Sequence, residues 1–121
     1  MEKVMESVDR GYHHFKERFS NGVVPFITHS WLLYPPYLNG VFKEGGNLQK
    51  FAGLFDVISQ NENYSDSFAH VFGCPYPGEG SLDNVPQKTS VQRNMLQFIK
   101  QGNALGDGYG IFFYDANGIV R

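Results

Sequence analysis

The chain has 121 residues, 41% hydrophobic and 16% aromatic, with a formal net charge of −2. That suffices for a single domain, 1–121, with a core of its own, and is too short for two of ordinary size. No excess of Lys or Arg argues for nucleic acid, and no polybasic run argues for an anionic membrane surface.

The N-terminal stretch MEKVMESVDR is charged and has no apolar centre, so it is no secretory signal. Val4, Val8, Tyr12, Phe15 and Phe19 recur at steps of three and four. That spacing predicts an amphipathic helix over Glu2–Phe19, stopped by Ser20-Asn21-Gly22. Residues 19–42 hold no Asp, Glu, Lys or Arg. Pro25, Pro35 and Pro36 exclude a membrane-spanning helix there, because lipid cannot satisfy the backbone groups they release. The nearly continuous apolar run Val23–Leu33 predicts a central strand buried on both faces. Tyr34-Pro35-Pro36-Tyr37 ends it, since two prolines donate nothing to a ladder.

Asn47 can cap a short helix carrying Leu48, Phe51, Ala52 and Phe55. A strand over Leu54–Gln60 follows, then Ser67–Phe72, which fits a short strand or, in better accord with Asp66 or Ser67 as a cap, a short helix. Gly73–Lys88 holds three prolines and three glycines and reads as a loop. Thr89-Ser90-Val91-Gln92 matches a capping box. The helix it opens carries Val91, Met95, Leu96, Phe98 and Ile99 and closes at Gly102. Gly106-Asp107-Gly108-Tyr109-Gly110 reads as a flexible lead into a strand over Ile111–Tyr114. Asp115-Ala116-Asn117-Gly118 is a tight turn into a return strand at Ile119. This order of elements predicts an α/β (α+β) architecture, a sheet with helices packed on it.

His29 and Ser30 are adjacent, but neighbours on a strand point to opposite faces and cannot form a local nucleophile pair. No G-x-S-x-G surrounds Ser30. His29 is the candidate catalytic base, because imidazole titrates near neutrality; the competing reading is a hydrogen-bonded core histidine. Trp31 likewise reads as core or as ligand platform. His70 and Cys74 are spaced H-x3-C, and His13 and His14 are adjacent. Zinc needs three or four converging ligands, so no metal is expected. A lone cysteine allows no intrachain disulfide, which fits a reducing cytoplasm. The glycines at 106, 108 and 110 precede a strand, whereas a dinucleotide fingerprint precedes a helix. Asp56, Glu62, Asp66, Glu79 and Asp83 are scattered through polar segments and read as solvated charges.

The segments HSWLLYPPYL, NLQKFAGLFDVI, HVFG, TSVQRNMLQFIKQG and LGDGYGIF, in this order, resemble the C-terminal GNAT-like domain of bacterial, Firmicute-type acyltransferases. The pieces SWLL-x-P and TS-x-QR are the most specific, and the match runs from about Glu2 to Phe113. The resemblance implies a GNAT-like mixed sheet like the second half of an acetyltransferase, with acyl-CoA or acetyl-CoA as cosubstrate. It implies that His29, Trp31 and Tyr34 line an acyl-acceptor pocket. In such enzymes the CoA pyrophosphate sits on amides before a helix. If Glu2–Phe19 is that helix, its preceding strand and glycine-rich loop would lie before Met1. Many acetyltransferases place a tyrosine acid around the next short helix, where this chain has Phe51 and no tyrosine. The expectation is a C-terminal part that transfers acyl groups only with an N-terminal acyltransferase half. The alternative is a non-catalytic binding or assembly module that self-associates.

Overall fold

Helix α1 spans Glu2–Phe15 in a computed structural model that describes residues 2–121. Its apolar stripe is buried at Val8 and Tyr12, whose ring meets Tyr114 at 5.3 Å. The helix stops short of the expected Phe19: Lys16–Arg18 tighten into a 3-10 turn, and Phe15 and Phe19 stay exposed.

Strand β1, Val24–Ser30, is shorter than the apolar run that predicted it. Ser30 ends it by turning its own hydroxyl to accept the Leu32 amide at 3.1 Å, which caps a 3-10 turn over Trp31–Leu33. Pro36 then opens helix α2, Tyr37–Gly40. Helix α3, Asn47–Ala52, begins after Gly46, so Asn47 lies inside the helix and is not its cap. Strand β2 covers Asp56–Glu62. Helix α4, Tyr64–Phe72, starts earlier than expected, because the cap is Asn63: its side chain accepts the Asp66 amide at 3.1 Å. Gly73, at φ 72°, closes α4 in the left-handed conformation that glycine adopts most readily. A 3-10 segment over Glu79–Asn84 interrupts the following loop. Helix α5, Ser90–Lys100, carries the capping box as expected, with Thr89 and Gln92 each accepting from the other's end of the turn.

Strand β3 is the largest departure from expectation. It runs over Gly106–Asp115 and so includes the whole GDGYG segment. Strand β4, Gly118–Val120, returns after the turn. The sheet order is β1-β3-β2, with β4 also on β3, and every pairing among the described residues is antiparallel. β3 is therefore the central strand, and β1 lies at an edge. The prediction of a central β1 buried on both faces is corrected: Ile27 is 63% exposed. A continuous apolar run satisfies a two-sided strand, but it does not reveal whether anything covers the second face.

The glycines explain the geometry of β3. Gly106, Gly108 and Gly110 share the face on which Phe112 and Tyr114 are buried. A Cβ on Gly106 would meet the Tyr34 ring and the Asn61 carbonyl, and one on Gly108 would meet the Leu33 carbonyl. A Cβ on Gly110 would fall 2.7 Å from Leu33 and 2.8 Å from Phe55. The segment after β1 thus folds directly onto bare backbone of β3.

Two apolar clusters result. The larger gathers Tyr37, Phe68, Met95, Phe98 and Leu105 among the helices. The smaller packs Val8 and Tyr12 of α1 on Val24, Phe112 and Tyr114 of the sheet. Burying each such side chain stabilises the fold by about 1.5–3 kcal/mol before entropy is subtracted. The opposite sheet face is covered at Asp107 and stays open beyond it, with Tyr109 and Phe113 each 42% and Val120 43% exposed. No helix among the described residues is long and apolar enough to cross a membrane.

Candidate active site

Antiparallel register places His29 of β1 opposite Tyr109 of β3. The two rings stack, with centroids 4.2 Å apart and planes 9° from parallel. Asp107 lies two residues from Tyr109, on the same face and diagonal to His29. Its Oδ2 is 3.1 Å from His29 Nε2. Asp107 is only 3% exposed, and the same Oδ2 accepts from Asn63 Nδ2 at 3.0 Å. Its Oδ1 is buried and has no donor among the described residues. A carboxylate only accepts here, so Nε2 carries the ring proton and Nδ1 presents the lone pair. The imidazole is half exposed, with its edge toward an open cleft.

That cleft has a volume of about 740 Å³ and includes His29, Trp31, Asn63, Asp66 and His70 in its lining. Its walls come from the end of β1 with the turn after it, and from α4 with its cap. Trp31 faces His70 at 6.0 Å with ring planes 27° apart, and also packs on Tyr37 and Phe42. It is thus part of the core and part of the lining. His70 Nδ1 lies 2.8 Å from the Asp66 carbonyl and 3.4 Å from the Asp66 carboxylate.

Of the residues expected from sequence, the structure brings His29 and Trp31 together and sets Tyr34 apart. Tyr34 is buried against Gly106 and lines a separate apolar cavity of about 110 Å³ with Leu33, Phe55 and Val57. Burial, then the Glu62 carboxylate, raises its hydroxyl pKa. Ser30 is spent on its cap. His13 pairs with Asp9 at 3.5 Å on α1. Cys74 packs against the larger cluster, and no three His, Cys, Asp or Glu side chains among the described residues are placed to hold a metal. The sequence gives no signal for Asn63 or Asp107 as site residues, and it offers His70 only as a zinc ligand beside Cys74. Asp107 was hidden by its glycines, although strict alternation over GDGYG is also how a strand with one crowded face reads.

Solved acyltransferases share this fold. One, a W163A mutant of an acyltransferase called orf11* in complex with octanoyl-CoA, aligns with a TM-score of 0.70 at 23% identity, covering 89% of this chain and 34% of its own. An acyltransferase bound to decanoyl-CoA gives 0.69 at 19% identity, with coverages of 88% and 33%. A third, in complex with CoA and 10C-teicoplanin, gives 0.60 at 22% identity, with coverages of 72% and 28%. The chain therefore spans about a third of the length of these structures, and at such identities the likeness concerns the fold. No curated protein matches the sequence. The family model described as "GNAT-like C-terminal domain" matches residues 1–112, so the chain belongs to the family of GNAT-like C-terminal domains.

Proposed function

We propose that this chain is the acceptor-side part of an acyl-CoA-dependent N-acyltransferase, with His29 as general base. The observation that carries the reading is the contact of His29 Nε2 with the buried Asp107 carboxylate at the mouth of the cleft. His29 Nδ1 takes the proton from an amine as its nitrogen attacks the thioester carbonyl. The C–N bond forms, the C–S bond breaks, and the CoA sulfur leaves as thiolate. Asp107 holds the ring in one tautomer and stabilises the positive charge that develops on it. Trp31 and His70 offer ring faces to the acceptor. No Lys or Arg is among the lining residues, which favours the acceptor over the phosphates of CoA as the occupant of the cleft.

Catalysis needs a further acyltransferase part, seated on the open sheet face around Ile27, Tyr109 and Phe113. Two observations support this occupant: that face is apolar and uncovered, and the similar acyltransferases are about three times as long. Acyl-CoA is titrated by calorimetry into the chain alone and into the chain joined to that part, and thiol release is followed with primary amines. Turnover in the joined protein that His29→Gln abolishes is expected. Binding in neither form, or turnover indifferent to His29, overturns the reading.

The second reading is a non-catalytic assembly module. The same open face, next to β1 and β2 edges that no described strand covers, favours it. Self-association in sedimentation together with no acyl-CoA binding would select it over the first.

A further inference from the structure

At the start of β3, residues Leu105, Gly106 and Asp107 are held by helix α4 and its cap at three points. The Asn63 amide donates to the Leu105 carbonyl at 2.8 Å, Asn63 Nδ2 donates to Asp107 Oδ2 at 3.0 Å, and Ser67 Oγ donates to the Gly106 carbonyl at 2.7 Å. The last belongs to a closed ring. Tyr37 Oη donates to Ser67 Oγ at 2.9 Å, and the Gly106 amide donates back to Tyr37 Oη at 2.9 Å. Each hydroxyl gives one hydrogen bond and receives one. Tyr37 and Ser67 are both fully buried, so neither exchanges these partners for water.

The ring grips both peptide planes that flank Gly106. The Gly106 N–H belongs to the plane shared with Leu105, and its C=O belongs to the plane shared with Asp107. A glycine with no side chain is the freest point of the strand, and it directly precedes the carboxylate that meets His29. A Cβ is excluded there by the Tyr34 ring and the Asn61 carbonyl, so the backbone must be fixed by its neighbours and not by its own side chain.

We propose that Tyr37 and Ser67 are positioning residues for the His29–Asp107 pair: their ring with Gly106 sets the Asp107 carboxylate and thereby keeps His29 in the Nε2–H tautomer, with Nδ1 free for the acceptor. The proposal rests on the reading of His29 as the base, but its test does not require turnover. Burial pushes the Tyr37 hydroxyl up to about 12, so it remains a donor throughout the working range of an imidazole. No element of the ring touches the cleft, which separates positioning from binding.

The test is long-range ¹H–¹⁵N correlation on the full chain with ¹⁵N-labelled histidine, at a pH where the imidazoles are neutral. Wild type is expected to show His29 as Nε2–H. His70, whose Nδ1 faces the Asp66 carbonyl, shows the opposite form and is the internal reference. In Tyr37→Phe and Ser67→Ala, the His29 tautomer ratio shifts about tenfold toward Nδ1–H, the scale of one lost hydrogen bond, while His70 stays put. Folded variants with the wild-type His29 ratio overturn the proposal, as does an equal shift at His70, which would mark general loosening. If Ser67→Ala fails to fold, Tyr37→Phe decides alone, since it removes one oxygen and keeps the ring. If both fail, a wild-type His29 in any form but Nε2–H overturns it, and Nε2–H supports it. Absence of acyl transfer with a shifted tautomer would sink the proposed function and leave this inference standing.

Discussion

His29 Nε2 and Asp107 Oδ2 meet at 3.1 Å because β1 and β3 pair antiparallel in a register that sets His29 opposite Tyr109 and diagonal to Asp107. The carboxylate is buried and the imidazole is half exposed. Such a pair has a fixed inner member and an outer member that reaches the cleft.

With the proposed acyltransferase part joined to the chain, His29→Gln should lower turnover about 10²–10⁴-fold, the usual contribution of a general base. Asp107→Asn should fall in the same direction with unchanged folding. Thiol release from acyl-CoA with an amine acceptor measures both.

Gly108→Ala should destabilise by about 1–3 kcal/mol, because its Cβ would fall on the Leu33 carbonyl, a backbone atom that cannot swing away. A lower urea midpoint with an unchanged slope is the expected result. A midpoint equal to wild type would mean that the Trp31–Leu33 turn sits farther from β3.

Alkaline stability reports on the buried tyrosines. Tyr37 is pushed up to about 12 by burial, and Tyr34 and Tyr114 are raised in the same direction, also chiefly by burial. A folded pKa above the unfolded value of about 10 favours the folded state fully below pH 10. That contribution is lost as pH rises through 10 toward 12. Denaturation followed across this window should show the fall, and Tyr37→Phe should make it shallower.

Thr89→Ala should cost about 1 kcal/mol, since Thr89 accepts the Gln92 amide at 3.1 Å at the start of α5. Thermal unfolding checks it, and the His29 cleft should be unaffected because Thr89 does not line it.

Ile27→Asp tests the open sheet face. A 63% exposed side chain contributes little to the isolated fold, so the unfolding free energy should move by no more than about 0.5 kcal/mol. Association with the proposed acyltransferase part should weaken strongly in sedimentation, because a charge would be buried without a partner.

Local rules in the sequence determined that a first helix starts at Glu2, though not its end at Phe15, and they determined the helix after Thr89, its capping box with Gln92, and the turn before Gly118, because periodicity and capping act within a few residues. The sequence also offered His29, Trp31 and Tyr34 as candidates, of which the cleft takes the first two. Only the tertiary structure decided that β1 lies at an edge, that GDGYG is a strand with bare backbone on one face, and that Asp107 stands behind His29. Those facts depend on register between strands far apart in the chain. A glycine beside a carboxylate reads locally as a loop, and becomes a rigid seat only when Tyr37, Ser67 and Asn63 arrive from other elements to hold it.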